Sequence, residues 1–176
     1  MTQPKGTFYG KYRGQVFDIE DPQFLGRVQA FVPDVLGETP STWALPCLPM
    51  AGTGTPMGVF CVPPIGAGVW MEFEHGDPGK PIWSGCWYSD GMLPPLAVLS
   101  PPPTSQMVIQ TQLGTTLSIS DLPTPPGGIL LKTPGGAMIS ISDTTGIVIS
   151  NGKGASIILA AAAVTINNGA LMVTAP

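Results

Sequence analysis

The densest set of groups able to move protons is Glu72, Glu74, His75 and Asp77. Two carboxylates this close in sequence suit a glycosidase-like acid and base, and the imidazole could relay a proton. A plainer reading covers the same four residues. Glu72 and Glu74 fall on one face of a period-2 strand, and Asp77-Pro78-Gly79 has turn chemistry, so a solvated strand edge with its hairpin loop accounts for them. Nucleophilic catalysis finds no footing either: no G-x-S-x-G elbow occurs, and His75 is the one histidine of the chain. Cys47, Cys61 and Cys86 lack C-x-x-C spacing and a histidine cluster beside them, so they are read as small core hydrophobes rather than metal ligands. The residues point to a non-enzyme without metal or cofactor.

Trp43, Trp70, Trp83 and Trp87 could serve as stacking platforms for single-stranded nucleic acid if a basic groove ran beside them. Residues 1–90 instead carry five basic side chains against nine acidic ones, and the chain has a net charge of −4, the wrong sign for releasing counterions from phosphates. Packing and protein contact are the better use of these rings, and nucleic acid is not expected as a partner. Trp70 alternates with Val69, Met71 and Phe73; if those three face a core, Trp70 faces outward and is a candidate contact to another protein or a sister chain.

The elements that must carry these residues are short. Glycine (23) and proline (21) make up a quarter of the 176 residues, yet 43% are hydrophobic and 10% charged, which excludes both a disordered tract and a long helical protein. The start of the chain has no apolar signal-like region, and the ten-residue apolar run 157–166 is half of the ~20 a membrane helix needs, so a soluble chain not exported by the usual route is expected. Fourteen of the 18 charged residues lie in 1–90, which implies two architectures. The expected division is a first domain over 1–90, a proline-rich linker over 91–105 with extended geometry around Pro94-Pro95 and Pro101-Pro102-Pro103, and a second domain over 106–176.

In the first domain, alternation at Val28, Ala30, Val32 and at Val69, Met71, Phe73 predicts half-buried strands, with others at Tyr12–Ile19, Trp43–Cys47, Gly58–Val62 and Ile82–Tyr88. Five or six short strands without a convincing helix predict a small antiparallel barrel of the OB type. The second domain repeats itself: Gly114-Thr-Thr-Leu-Ser-Ile-Ser-Asp121 recurs 22 residues on as Gly136-Ala-Met-Ile-Ser-Ile-Ser-Asp143, with weaker copies from Gly128, Gly146, Gly154 and Gly169. Gly136 and Gly154 are expected at corners where positive φ or close chain approach excludes a side chain. The strands alternate aliphatic with small polar residues and contain no aromatic ring, so one copy would have a thin core and open edges. Several chains around an axis would supply both, which predicts a homo-oligomeric β-helix or β-prism.

The blocks Asp18-Ile-Glu-Asp21-Pro22-Gln-Phe-Leu-Gly26-Arg27-Val28-Gln-Ala30-Phe-Val32-Pro33, Trp43-Ala-Leu-Pro46 and Pro63-Pro-Ile-Gly66-Ala-Gly68-Val69-Trp-Met-Glu72-Phe73-Glu74-His-Gly76-Asp77-Pro78-Gly-Lys80-Pro81-Ile-Trp83-Ser-Gly85 resemble the OB domain of phage baseplate assembly protein V. That family includes the central spikes of contractile tails and the VgrG proteins of type VI secretion. The glycine-rich repeats resemble the triple-stranded β-helix that follows the OB domain in those spikes. The resemblance implies an all-β homotrimer, an N-terminal OB barrel followed by a C-terminal β-helix needle. It would be a structural central spike joining a hub protein at the end of the inner tube to a membrane-piercing tip, with Trp70 as a contact to hub or sister chain. Such a protein would be made in the bacterial cytoplasm, assembled into a phage or phage-tail-like baseplate, and would meet a target membrane only on puncture. Under 20 residues separate the two blocks, so no lysozyme domain fits between them. The H-x-H apex motif of some short spikes is missing, and the end of the chain is apolar and uncharged. A separate PAAR-like tip protein is therefore expected on Ala170, Leu171, Met172 and Val173. The alternative is a trimeric OB adaptor that displays the repeats as a receptor-binding fibre; a cell-envelope glycan hydrolase is the third reading.

Overall fold

A computed structural model of the chain describes residues 6–99, 103–123 and 127–174. Among these residues the fold is all-β with two very short α-helices and two 3-10 turns, and the chain divides between Gly91 and Met92 into two compact units.

The first unit is built on β1 (Tyr12–Asp18), β2 (Gln29–Phe31), β3 (Leu45–Pro46), β4 (Gly68–Phe73) and β5 (Pro81–Trp87), in the order β2-β1-β4-β5-β3. β1 pairs antiparallel with both β2 and β4, β4 pairs antiparallel with β5, and β3 runs parallel to β5. The segment leading into β3 returns to β2 through bridges Phe31–Pro40 and Val28–Ala44, with Ala44 N–H donating to Val28 O at 2.8 Å. The sheet thus curls back on itself, and closure removes the open edges that would invite other chains. Register shifts after Val16 and after Val69 supply the bends such closure needs.

The alternation read from sequence is the core. Val28, Ala30, Val32, Val69 and Met71 are fully buried, and Val16, Val35, Phe73 and Trp83 nearly so. Trp83 is buried with its indole N–H satisfied, donating to Gly26 O at 3.1 Å. Gly14 is required at its place because a Cβ there would come within 2.8 Å of Met71 Cγ and 3.1 Å of Phe31 O.

Several expectations need correction. Gly58–Val62 is not a strand; only Gly58 bridges, to Ala51, and the prolines at 63 and 64 give the segment no ladder donor with which to continue. A four-residue helix, α1 (Pro33–Leu36), forms where none was expected, with Pro33 at its start, the one helical place where a missing N–H costs nothing. Proline does the same at α2 (Pro95–Leu99), a helical turn inside the stretch expected to be extended; Pro101 and Pro102 lie outside the described residues. Finally, all three cysteines are exposed rather than in the core.

The second unit is one antiparallel meander of eight strands in chain order: β6 (Gln106–Gln110), β7 (Thr116–Ser120), β8 (Gly128–Lys132), β9 (Met138–Ser142), β10 (Gly146–Ser150), β11 (Ser156–Ala160), β12 (Ala163–Ile166) and β13 (Leu171–Thr174). The sequence repeat is a hairpin repeat. Gly114 and Gly136 sit in the turns before β7 and β9, Gly154 in the turn before β11 and Gly169 in the turn before β13, whereas Gly128 and Gly146 open β8 and β10.

Candidate assembly surfaces

Because side chains alternate along a strand, the registers decide what shares a face. Ile109 stands opposite Leu117, Leu117 opposite Leu131, Leu131 opposite Ile139, and the row continues through Ile149, Ile157 and Ile166 to Leu171. A second row runs Met107, Ile119, Ile129, Ile141, Ile147, Leu159, Val164 and Val173. Sixteen aliphatic side chains therefore form two unbroken ladders on one face, and all but Leu117 and Ile166 are exposed in the single chain. The opposite face carries Ser118, Ser120, Ser140, Ser142 and Ser150, each half-buried or better. Val108, Leu130, Val148 and Ile158, also half-buried, are interleaved with those serines, so the opposite face is mixed and partly covered, whereas the two ladders are wholly apolar and, but for Leu117 and Ile166, exposed. A contiguous apolar face of this extent marks an interface.

The corner glycines differ in what they need. Gly136 and Gly154 have φ of +86° and +103°, a region that disfavours side chains, but a Cβ on Gly136 would find no atom nearer than 3.6 Å, and one on Gly154 nothing within 4 Å. Close approach occurs elsewhere: at Gly128 and Gly146 a Cβ would collide with the carbonyl oxygens of Ile141 and Leu159, and both also have positive φ. The repeat of this collision 18 residues apart is the steric reason for glycine at those strand starts. At the end of the meander, Leu171 and Val173 are exposed on β13, the terminal strand of the sheet. Ala170 caps the turn before it, donating to Asn167 O at 3.2 Å, and the Met172 side chain lies outside the described residues.

In the first unit, Trp70 lies on the face of β4 opposite the buried Val69, Met71 and Phe73, half-buried beneath Arg13, whose guanidinium is 5.7 Å from its ring and 5.1 Å from that of Trp87. Trp87 crosses Gly68, where a Cβ would press on its indole at 2.5 Å, and donates to Val69 O at 3.3 Å. On the same face, Lys11 pairs with Glu72 at 3.1 Å and donates to Ser84 Oγ at 2.7 Å; the ammonium chiefly holds the Glu72 carboxyl below its ordinary range, against a smaller opposing effect of desolvation. Glu74 leaves this face, because β4 ends at Phe73 and residues 74–76 form a 3-10 turn with His75 at φ +55°. Asp77 accepts from Gly79 N–H at 2.9 Å, closing the turn. The four groups suspected of proton chemistry thus divide between a surface ion pair and a turn. Among the described residues no three His, Cys, Asp or Glu side chains cluster as metal ligands. Although Cys86 is exposed overall, the partial desolvation of its sulfur, and secondarily the nearby Cys61, push its thiol up.

One feature escaped the sequence reading. The Asp21 carboxylate accepts from the backbone N–H groups of Gln23 (3.0 Å), Leu25 (2.7 Å) and Arg27 (3.2 Å) and from the Arg27 guanidinium at 2.6 and 2.9 Å. The ion pair is almost fully buried, and Arg27 lies 5.6 Å from the Trp43 ring. Arg27 first, then the three backbone donors, hold the Asp21 carboxyl far below the carboxylate range although burial opposes this. The loop so tied presents Phe24 at φ +54° and 92% exposed, beside the exposed Leu25, while the exposed Phe60 ring lies 3.3 Å from where a Gly26 Cβ would stand. Beside this knuckle is a groove of about 640 Å³ lined by Gln23, Leu25, Trp43, Leu45, Lys80 and Ile82, among others. A left-handed φ on an exposed phenylalanine cannot be read from composition; the signal available was the Asp21-x-x-x-x-x-Arg27 spacing around Gly26.

Two family descriptions match the chain. Residues 12–88 match the type VI secretion system/phage-baseplate injector OB domain, and residues 106–172 match the phage baseplate V C-terminal trimerisation domain. No curated protein gives a significant match.

Proposed function

Since the chain belongs to the phage baseplate V family, carrying its OB domain and its trimerisation domain in order, we propose that it is the central spike of a contractile tail or injection particle. In this reading three copies join through the aliphatic face of residues 106–174 to make a triple-stranded β-helical needle. The OB barrels seat on a hub protein at the end of the inner tube, and a PAAR-like tip protein docks on Ala170, Leu171, Met172 and Val173.

The observation that carries the reading is the pair of aliphatic ladders. Strands of five residues span ~17 Å, so three such sheets arranged as a prism lie ~5 Å from the axis, half the ~10 Å at which sheets pack face to face. Side chains from three chains therefore meet on the axis, and the face that is apolar becomes the core. Eight strands at ~4.8 Å give a rod ~38 Å tall. Its work is mechanical: sheath contraction provides the force, and ladders shared among three chains bear the load. Trp70 and its Arg13 stack offer the barrel's contact to hub or sister chain. The spike performs no chemistry itself, in keeping with a family of structural baseplate components. In this reading the β13 edge is what strand addition by a cap would use, with Leu171 and Val173 giving fit.

A short epitope tag after Pro176, imaged by electron microscopy with labelled antibody on purified particles, tests the assignment. Label on the particle axis at the distal end of the baseplate is expected. Label on lateral fibres or along the sheath would refute it and favour the receptor-binding fibre.

A further inference from the structure

The Phe24 knuckle carries two costs that a free barrel has no reason to bear: an aromatic side chain in water and a backbone in the left-handed region. The Asp21–Arg27 knot meanwhile makes the loop rigid, which is how a contact surface avoids losing entropy when it docks. The exposed Phe60, whose ring reaches Gly26 of the loop, adds a second aromatic side chain beside it.

We propose that, in the trimer, the Phe24–Leu25–Phe60 knuckle of each chain docks into the groove beside Trp43 and Leu45 of the next chain, so that the three barrels form a closed ring of their own. The inference rests on the trimer reading above and adds an interface outside the trimerisation domain. Its occupant is a second copy for two reasons. Trimerisation through residues 106–172, with residues 89–105 between the two matched spans, keeps each barrel within at most ~60 Å of chain from the shared needle, which puts the three barrels at a local concentration approaching the order of millimolar. The knuckle and the groove also adjoin, with Leu25 at their common border. Adjacent convex and concave patches make a heterologous contact, and where three copies are already held together such a contact closes into a ring instead of growing a filament. A groove of about 640 Å³ has room for a phenylalanine ring.

The test uses full-length protein with Phe24→p-benzoylphenylalanine, co-expressed with isotopically heavy parent chain, irradiated and mapped by mass spectrometry. Light-to-heavy adducts on peptides that contain Trp43, Leu45 or Ile82 are expected. The same probe at Ile139 monitors the needle. Adducts from Ile139 without chain-to-chain adducts from Phe24, or with Phe24 adducts only on another particle protein, overturn the ring and leave the spike standing. Loss of both overturns the trimer and the ring with it. A second variant, Phe24→Gly, relaxes the strained φ and leaves a folded barrel; with the probe moved to Phe60, its inter-chain yield should fall at least ten-fold. An unchanged yield removes Phe24 as the anchor.

Discussion

Replacing Ile139 by alanine separates a sheet that stays open to water from one covered by sister chains. Ile139 sits mid-sheet, opposite Leu131 and Ile149, and is 42% exposed in the single chain. Left at the surface, the substitution would change stability by no more than about 0.5 kcal/mol. Covered in a needle core, it removes buried methyl and methylene groups at about 2–5 kcal/mol per chain, hence about 6–15 kcal/mol per trimer. The smaller per-chain value already corresponds to a fall of roughly 8–16 °C in melting temperature for a unit of this size. Ser140→Ala, one residue along and on the opposite face, should stay within about 0.5 kcal/mol of the parent. The assay is thermal unfolding at two protein concentrations, since a trimer must melt later when more concentrated. An Ile139→Ala protein that melts with Ser140→Ala, short of even the ~4 °C that 1 kcal/mol would produce, refutes the argument that this face is a core.

Gly128→Ala and Gly146→Ala should each cost more than the ~1 kcal/mol of a positive φ alone, because the new Cβ meets a carbonyl oxygen. Gly154→Ala, with open space around it, should cost only the φ part, and chemical denaturation of the three variants ranks them. The depressed Asp21 carboxyl makes barrel stability depend on acid. Its contribution is complete above the ordinary carboxylate range and is lost as pH falls through that range toward the lower folded value, so Asp21→Asn should lose stability at neutral pH and show a flatter acid limb between pH 5 and pH 2 in fluorescence-monitored unfolding. If a tip protein docks as proposed, deleting Ala170 to Pro176 should leave a trimer that no longer co-purifies with it. Full retention of the tip protein by that truncation contradicts a docking site on β13.

What was legible in the sequence is what one chain's periodicity determines. The buried faces at Val28-Ala30-Val32 and Val69-Met71-Phe73 follow from period-2 alternation, and the hairpins of the second unit follow from the Gly114 and Gly136 repeat. Period 2 says which residues share a face, and small polar residues on the other face already pointed to association. The misreadings share a physical cause. Gly58–Val62 has the side chains of a strand but a neighbour, Ala51, that bridges it at one residue only, so no ladder forms. Pro94-Pro95 was read as extended and no helix was expected at Pro33, whereas proline at the first position of a helix starts one. The cysteines were placed inside by residue type, yet Cys86, although opposite the buried Val69 in the ladder, stays exposed towards the end of β5, and Cys47 falls just past the end of β3. The Asp21 knot depends on backbone N–H groups converging on one carboxylate, which no side-chain pattern announces.

The central claim, that the aliphatic face of the meander is the inside of a trimeric needle, can be tested by one accessibility measurement. In a background with Cys47, Cys61 and Cys86 replaced by serine, Ile139→Cys and Ser140→Cys proteins are treated with a maleimide in the native state and the two rates compared. The single chain exposes Ile139 and half-buries Ser140, so on its own it would react faster at 139. The assembled needle reverses the order: Ser140→Cys should react readily and Ile139→Cys should be protected until the trimer is unfolded. Faster reaction at Ile139→Cys in native protein would contradict the account.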